Sequence, residues 1–157
     1  MNNPTLKNVS DHVSGGTAKA PLPELNLLTA VFRRYPEIRA VYLFGSAATG
    51  KAGVGSDLDI GILPKNSSVH AKKLEILADL AALGFCEVDL VFLDVEDIVL
   101  RFEIVKHNKV IYRTSDFDVG TFYSQILRMY FDFLPYLKVQ REAFKRRILD
   151  GKRRNIS

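Results

Sequence analysis

The stretch GSAATGKAGVGSDLD, from Gly45 to Asp59, decides the fold of this chain. Before it lies a compact apolar run, Ile38 to Phe44, with Val41, Tyr42, Leu43 and Phe44 in succession. That run has the length and composition of a buried strand. Gly45-Ser46 stops it. Ten mostly small residues follow, including Gly50, Gly53 and Gly55, and Asp57-Leu58-Asp59 then opens a second strand through Ile60, Ile62 and Leu63 to Pro64. Side chains alternate across a strand, so Asp57 and Asp59 share one face while Leu58 and Ile60 take the other. Two carboxylates held that close repel, and both ionise cheaply only with a cation between them. Hard oxygen ligands suit Mg²⁺, which keeps waters and takes substrate phosphates as its remaining ligands. A glycine where the strand turns over lets backbone N–H groups approach a phosphate, and the Ser46 hydroxyl adds a donor. A helix beginning near Ala47 would point its N-terminus at the same anion.

Working outward, the elements on either side suggest a single α/β domain. Pro21 and Pro23 precede Leu25, Leu27, Leu28, Val31 and Phe32, the spacing of a helix that opens after proline and ends before Pro36. Beyond Pro64, Leu74, Leu77, Leu80, Ala81 and Leu83 recur at helical spacing, with Gly84 as terminator. Phe85 to Leu93 reads as a third strand. Asp94 is placed to cap a helix whose apolar face is Ile98, Val99, Phe102 and Val105, and Val110 to Tyr112 forms a short last strand. From Phe117 the chain turns helical again, with Phe122, Ile126, Met129, Phe133 and Leu137 in steps of three and four. Pro135 lies inside that pattern and is expected to kink it or split it in two. The order implies a mixed β-sheet flanked by helices, followed by a C-terminal helical arm.

A third acidic residue, Asp89, sits within Val88-Asp89-Leu90-Val91-Phe92. A charge in so apolar a strand is costly unless paired or bound to metal. With Asp57 and Asp59 it would complete a triad able to hold two metal ions, one at the attacking hydroxyl and one at the leaving group. Asp89 is also the candidate general base. Plainer readings stand beside these. Asp-x-Asp is often the wet face of an edge strand, and Gly-Ser is often only a turn. Glu87 shares a face with Asp89 and could be the ligand instead. The conjunction of the three features favours a metal and phosphate site.

Composition sets the outer bounds. The 157 residues are 47% hydrophobic and 25% charged, the balance of one globular domain with a real core. A single cysteine, Cys86, excludes an internal disulfide and suits a reducing, cytoplasmic setting; it reads as a buried packing residue. No stretch is apolar enough to cross a membrane. Lys138 to Arg154 holds eight basic residues against two acidic ones, a local charge of +6 that leaves the rest of the chain at −2. That segment could meet nucleic acid or an acidic protein, or be a solvated helix face. His12, His70 and His107 lack metal-site spacing and read as surface residues. Arg101 and Lys106 could reach a triphosphate, though a solvated face explains them as well. Phe122, Tyr123, Tyr130, Phe131, Phe133 and Tyr136 exceed what one helix face buries, which favours a protein interface.

Gly45-Ser46, ten residues, then Asp57-Leu58-Asp59 resembles the signature of the DNA polymerase β-like nucleotidyltransferases, with Asp89 where that family's third acid is expected. In size and layout the chain is similar to the minimal nucleotidyltransferases, the MNT or MntA-like antitoxins, over roughly Leu25 to Leu149. Phe131-Asp132-Phe133-Leu134-Pro135-Tyr136-Leu137 also resembles their terminal helix. Residues 1–20 lie outside the resemblance; polar, with Gly15-Gly16 and no sustained periodicity, they read as a flexible leader before a nucleotidyltransferase core over 21–115 and a helical arm with a basic tail over 116–157. The resemblance implies catalysis and Mg²⁺ binding by Asp57, Asp59 and Asp89, phosphate binding by Gly45 and Ser46, and ATP as donor. The implied acceptor is a tyrosine of a HEPN-domain toxin, with no need for nucleic acid and with room for a homo- or hetero-oligomer. Many relatives have Ala-Arg-Gly in the loop where this chain has Ala48-Thr49-Gly50, so a phosphate-facing arginine is missing and Lys51 is the next cation. Two other functions fit the residues: a binding module that neutralises its partner by occlusion, and a transferase acting on a small-molecule hydroxyl.

Overall fold

The computed structural model describes residues 25–51 and 56–154. The expected leader, His12, Pro21, Pro23, Gly53 and Gly55 lie outside them. Helix α1 (Asn26–Phe32) leads into strand β1 (Ile38–Leu43), a short helix α2 (Gly45–Ala48) and strand β2 (Leu58–Pro64). A 3₁₀ turn (Ser67–Lys72) and helix α3 (Lys73–Ala82) cross over to strand β3 (Val88–Phe92). Helix α4 (Ile98–Val105), strand β4 (Val110–Arg113) and helix α5 (Val119–Arg154) complete the chain.

The four strands form one mixed sheet in the order β3-β2-β1-β4. β1 pairs antiparallel with β2 and β4, while β2 and β3 run parallel, as strands joined by a crossover helix must. The sheet's two faces are buried against different helices. Val41 and Leu43 of β1, Leu58, Ile60 and Ile62 of β2 and Leu90 of β3 join Leu28 and Phe32 of α1 and Ile76 and Leu80 of α3. On the opposite face Ala40 and Tyr42 meet Ile104 and Val105 of α4 and Ile126 of α5. Gly61 sits in β2 beneath α4, where a Cβ would fall 2.3 Å from Ile104 Cγ2. Glycine there lets the helix lie close on the strand.

Several expectations are corrected by packing. The apolar stripe of α3 is Ile76 and Leu80 with half-buried Leu77 beside them; Leu74 is 80% exposed and Leu83 also faces solvent. Leucine spacing found the middle of the face, Leu77 and Leu80, but missed Ile76 and extended the face to exposed ends. The cap of α4 is Asp97, whose carboxylate accepts from Val99 N at 3.0 Å and Leu100 N at 3.1 Å. Asp94 instead meets His70 Nε2 at 2.7 Å, tying the 3₁₀ turn to the end of β3. Helix α5 begins at Val119 behind Asp118, which accepts from the Thr121 amide and hydroxyl at 3.0 Å each.

Pro135 does not split α5, which runs 36 residues without a break. Proline removes one helical hydrogen bond, to the carbonyl four residues earlier. Both Phe131 and Pro135 are exposed, so water can replace the lost donor. The turn just before is held by Tyr130, stacked on Phe102 with ring centroids 3.8 Å apart and planes 5° from parallel.

Candidate active site

The acidic residues converge where β1 ends and β2 and β3 begin. Gly45 takes φ +60, a left-handed conformation that favours glycine, and turns the chain from β1 into α2. A Cβ on Gly45 would lie 2.1 Å from Asp59 Oδ2. Only glycine lets the main chain rest against that carboxylate. Phe44 N donates to the Asp59 carbonyl at 3.1 Å, which fixes the turn on β2. Ser46 follows in α2, and its carbonyl accepts from Lys51 N and from the Thr49 hydroxyl, both at 3.1 Å. Thr49 therefore closes the loop on itself, and Lys51 is exposed.

Asp59 and Asp89 are direct partners across the parallel β2–β3 pair, on the same face of the sheet. Asp59 is half-buried, while Asp57 and Asp89 are exposed. Burial pushes the Asp59 carboxyl above its ordinary value, and the charges of Asp89 and then Asp57 push it further. Among the described residues, none of the three forms an ion pair with a lysine, arginine or histidine. A cluster of anions with no cation partner among the described residues fits a bound metal. No three His, Cys, Asp or Glu side chains among the described residues are grouped tightly enough to enclose an ion by themselves.

A cleft of about 330 Å³ runs beside the cluster, walled by Asp57, Cys86, Glu87, Val88 and Asp89. Cys86 is exposed there, not buried as its residue type suggested. It falls in the turn before β3, and in that turn the neighbouring Phe85 takes the core position. Asp89 is likewise no buried charge: it stands on the open face of an edge strand whose other face holds Leu90. Glu87 shares that cleft, and its carbonyl accepts from Leu58 N at 2.9 Å, opening the β2–β3 ladder. His70 and His107 are exposed as expected. Arg101 is half-buried with Nε enclosed and unbonded among the described residues, and Lys106 pairs with Glu103, so neither lies on a simply solvated face.

A turn with a bare backbone face thus stands against in-register carboxylates at one edge of a mixed sheet. The chain matches the family described as Polymerase beta, Nucleotidyltransferase over residues 26–117, and it belongs to that family. It is 28% identical to the protein adenylyltransferase MntA of Shewanella oneidensis over 122 residues, covering 78% of this chain and 84% of the relative. Among solved structures it is similar to a toxin-antitoxin crystal structure with AMP-PNP, with a TM-score of 0.61 and 26% identity, covering 80% of this chain and 98% of that one. A crystal structure of the MntA-HepT toxin-antitoxin pair gives a TM-score of 0.56 and 25% identity, over 80% of this chain and 96% of the other. Among the described residues no helix is long and apolar enough to cross a membrane.

Proposed function

We propose that this protein transfers AMP from ATP to a tyrosine hydroxyl of a HEPN-domain toxin and so acts as its antitoxin. The observation that carries the reading is Asp59, in register with Asp89 and pressed against the bare backbone of Gly45. It supports a reading in which the turn binds an anion and the carboxylates bind cations. Support for the acceptor comes from the adenylyltransferase relative and from the toxin-antitoxin structures with the same fold.

In this reading Asp57, Asp59 and Asp89 hold Mg²⁺, two ions in all, and Gly45 and Ser46 hold the triphosphate. Bound Mg²⁺ supplies charge neutralisation on the triphosphate and the departing pyrophosphate. The acceptor oxygen forms a bond to the α-phosphorus, the bond to the bridging oxygen breaks, and pyrophosphate leaves with that electron pair. The hydroxyl proton passes to Asp89, which stands open to the cleft. Positioning and electrostatics do most of the work in such a transfer. A cytoplasmic location goes with the reading, supported by the free, exposed Cys86.

The test uses α-labelled ATP, Mg²⁺ and host extract, with wild type beside an Asp57→Asn, Asp59→Asn variant and γ-labelled ATP as control. Label from the α position alone, on one small protein and only with wild type, is the expected result. A variant that silences the toxin as well as wild type does, with no label transferred, would sink the enzymatic reading. Occlusion by the exposed arm would then be the function.

A further inference from the structure

The outer half of α5 carries an apolar strip that the domain leaves uncovered. At about 100° per residue, Ile126, Tyr130, Phe133, Leu137, Phe144 and Ile148 fall on one face of the helix. The first part of that face packs on the domain: Ile126 is fully buried and Tyr130 stacks on Phe102. The same face then runs beyond the domain, where Phe144 is 64% and Ile148 45% exposed. Helix α5 is 36 residues, about 54 Å, longer than a small domain is wide. Every residue from Lys138 to Gly151 is exposed. A helix with no tertiary cover is marginal in water, and its uncovered strip continues a packed interface.

Charge around the strip defines what fits it. Lys138, Arg141 and Lys145 lie along one flank and Arg147 along the other, while Glu142, Arg146 and Asp150 turn toward the back of the helix. A second copy of this chain would bring the same cations face to face, so self-association along the strip is disfavoured. Nucleic acid would satisfy the cations but leave Leu137, Phe144 and Ile148 wet. A helix with an apolar face and acidic flanks satisfies both.

We propose that the outer half of α5 is the docking strip for an acidic amphipathic helix of the acceptor protein. It rests on the reading that the acceptor is a protein, and it gives that protein a recognisable surface. The strip holds the acceptor; the carboxylates at the sheet edge act on it.

The test measures binding of the full-length protein to three fluorescent probes: an acidic amphipathic helical peptide of about 20 residues, a scrambled peptide of the same charge, and a single-stranded RNA. The amphipathic peptide should bind best. Phe144→Ser with Ile148→Ser should weaken it about tenfold or more, and Phe144→Leu should restore much of the loss. Arg141→Glu with Lys145→Glu, which leaves the apolar strip intact, should weaken it by a similar factor. Circular dichroism checks that each variant keeps its helix. Asp57→Asn with Asp59→Asn should leave peptide binding unchanged, so a failed docking strip and a failed transferase give different results. Equal binding of the scrambled peptide, tighter binding of RNA, or dimerisation in sedimentation that Phe144→Ser abolishes would each overturn the proposal.

Discussion

The two faces of the sheet are built to different specifications. The α1/α3 face is sealed: Leu58, Ile60 and Ile62 of β2 are all fully buried in one apolar cluster. The α4/α5 face takes its residues from alternate positions of the same strands and includes Asp59, Gly61, Asp89 and Tyr42. It leaves polar groups short of partners. Asp59 is a carboxylate pushed upward by burial and by two like charges, and the Tyr42 hydroxyl is buried without a partner among the described residues. The contrast teaches that one face is built for stability alone, while the other gives some up by burying polar groups, as functional sites commonly do.

The largest expected effect breaks the chemical face alone. Asp57→Asn with Asp59→Asn should lower AMP transfer by about a thousandfold, while the melting temperature without Mg²⁺ holds or rises because a disfavoured charge is gone. A parallel loss of folding would show that the carboxylates are structural. Next, Ile60→Ala cuts into the sealed face and should cost about 2–5 kcal/mol in denaturant unfolding. Its per-molecule activity should stay near wild type while the protein is folded.

A smaller effect comes from forcing the site-bearing face apart. Gly61→Ala puts a methyl against Ile104 and Leu93 and should cost about 1–3 kcal/mol, whereas the same change at exposed Gly151 should cost nothing and raise helix content. Equal stability of the two variants would mean that α4 yields easily. The smallest change, Tyr42→Phe, removes a hydroxyl without a partner and should be neutral or stabilising by about 1 kcal/mol. Its pH dependence sharpens the comparison. Burial pushes the Tyr42 hydroxyl from 10.0 up to about 12. The unfolded chain ionises first, so this group's contribution is complete below pH 10 and lost as pH rises toward 12. Tyr42→Phe should therefore flatten part of the alkaline loss of stability. An unchanged alkaline limb would place that loss elsewhere, with Tyr35 the next candidate, since burial and Asp79 raise it too.

Much of this was legible in the chain. Strand alternation put Asp59 on the face opposite Leu58 and Ile60, and the structure keeps that division, while Asp57 falls just before β2, which begins at Leu58. The run Ile38 to Phe44 became β1, and the steps of three and four after Phe117 became one helix. Readings that relied on a residue's usual habit did worse. Cys86 is exposed because Phe85 holds the core position beside it. Asp97 rather than Asp94 caps α4, since Asp94 is held by His70 from a turn 24 residues away. Pro135 does not split α5, since where it removes a hydrogen bond the helix is open to water.

The sequence by itself determined the alternation of elements, the spacing of glycine turn and carboxylates, and hence the class of chemistry, because periodicity and turn residues act over a few neighbours. Only the tertiary structure decided that β3 pairs in register with β2, which brings Asp89 beside Asp59 across 30 residues of chain. It alone showed that Gly45 is required by a carboxylate at 2.1 Å from its missing Cβ rather than by the turn alone. It also decided where the domain stops covering α5. Registers and edges depend on which surfaces meet, and residues far apart in the chain meet only after it folds.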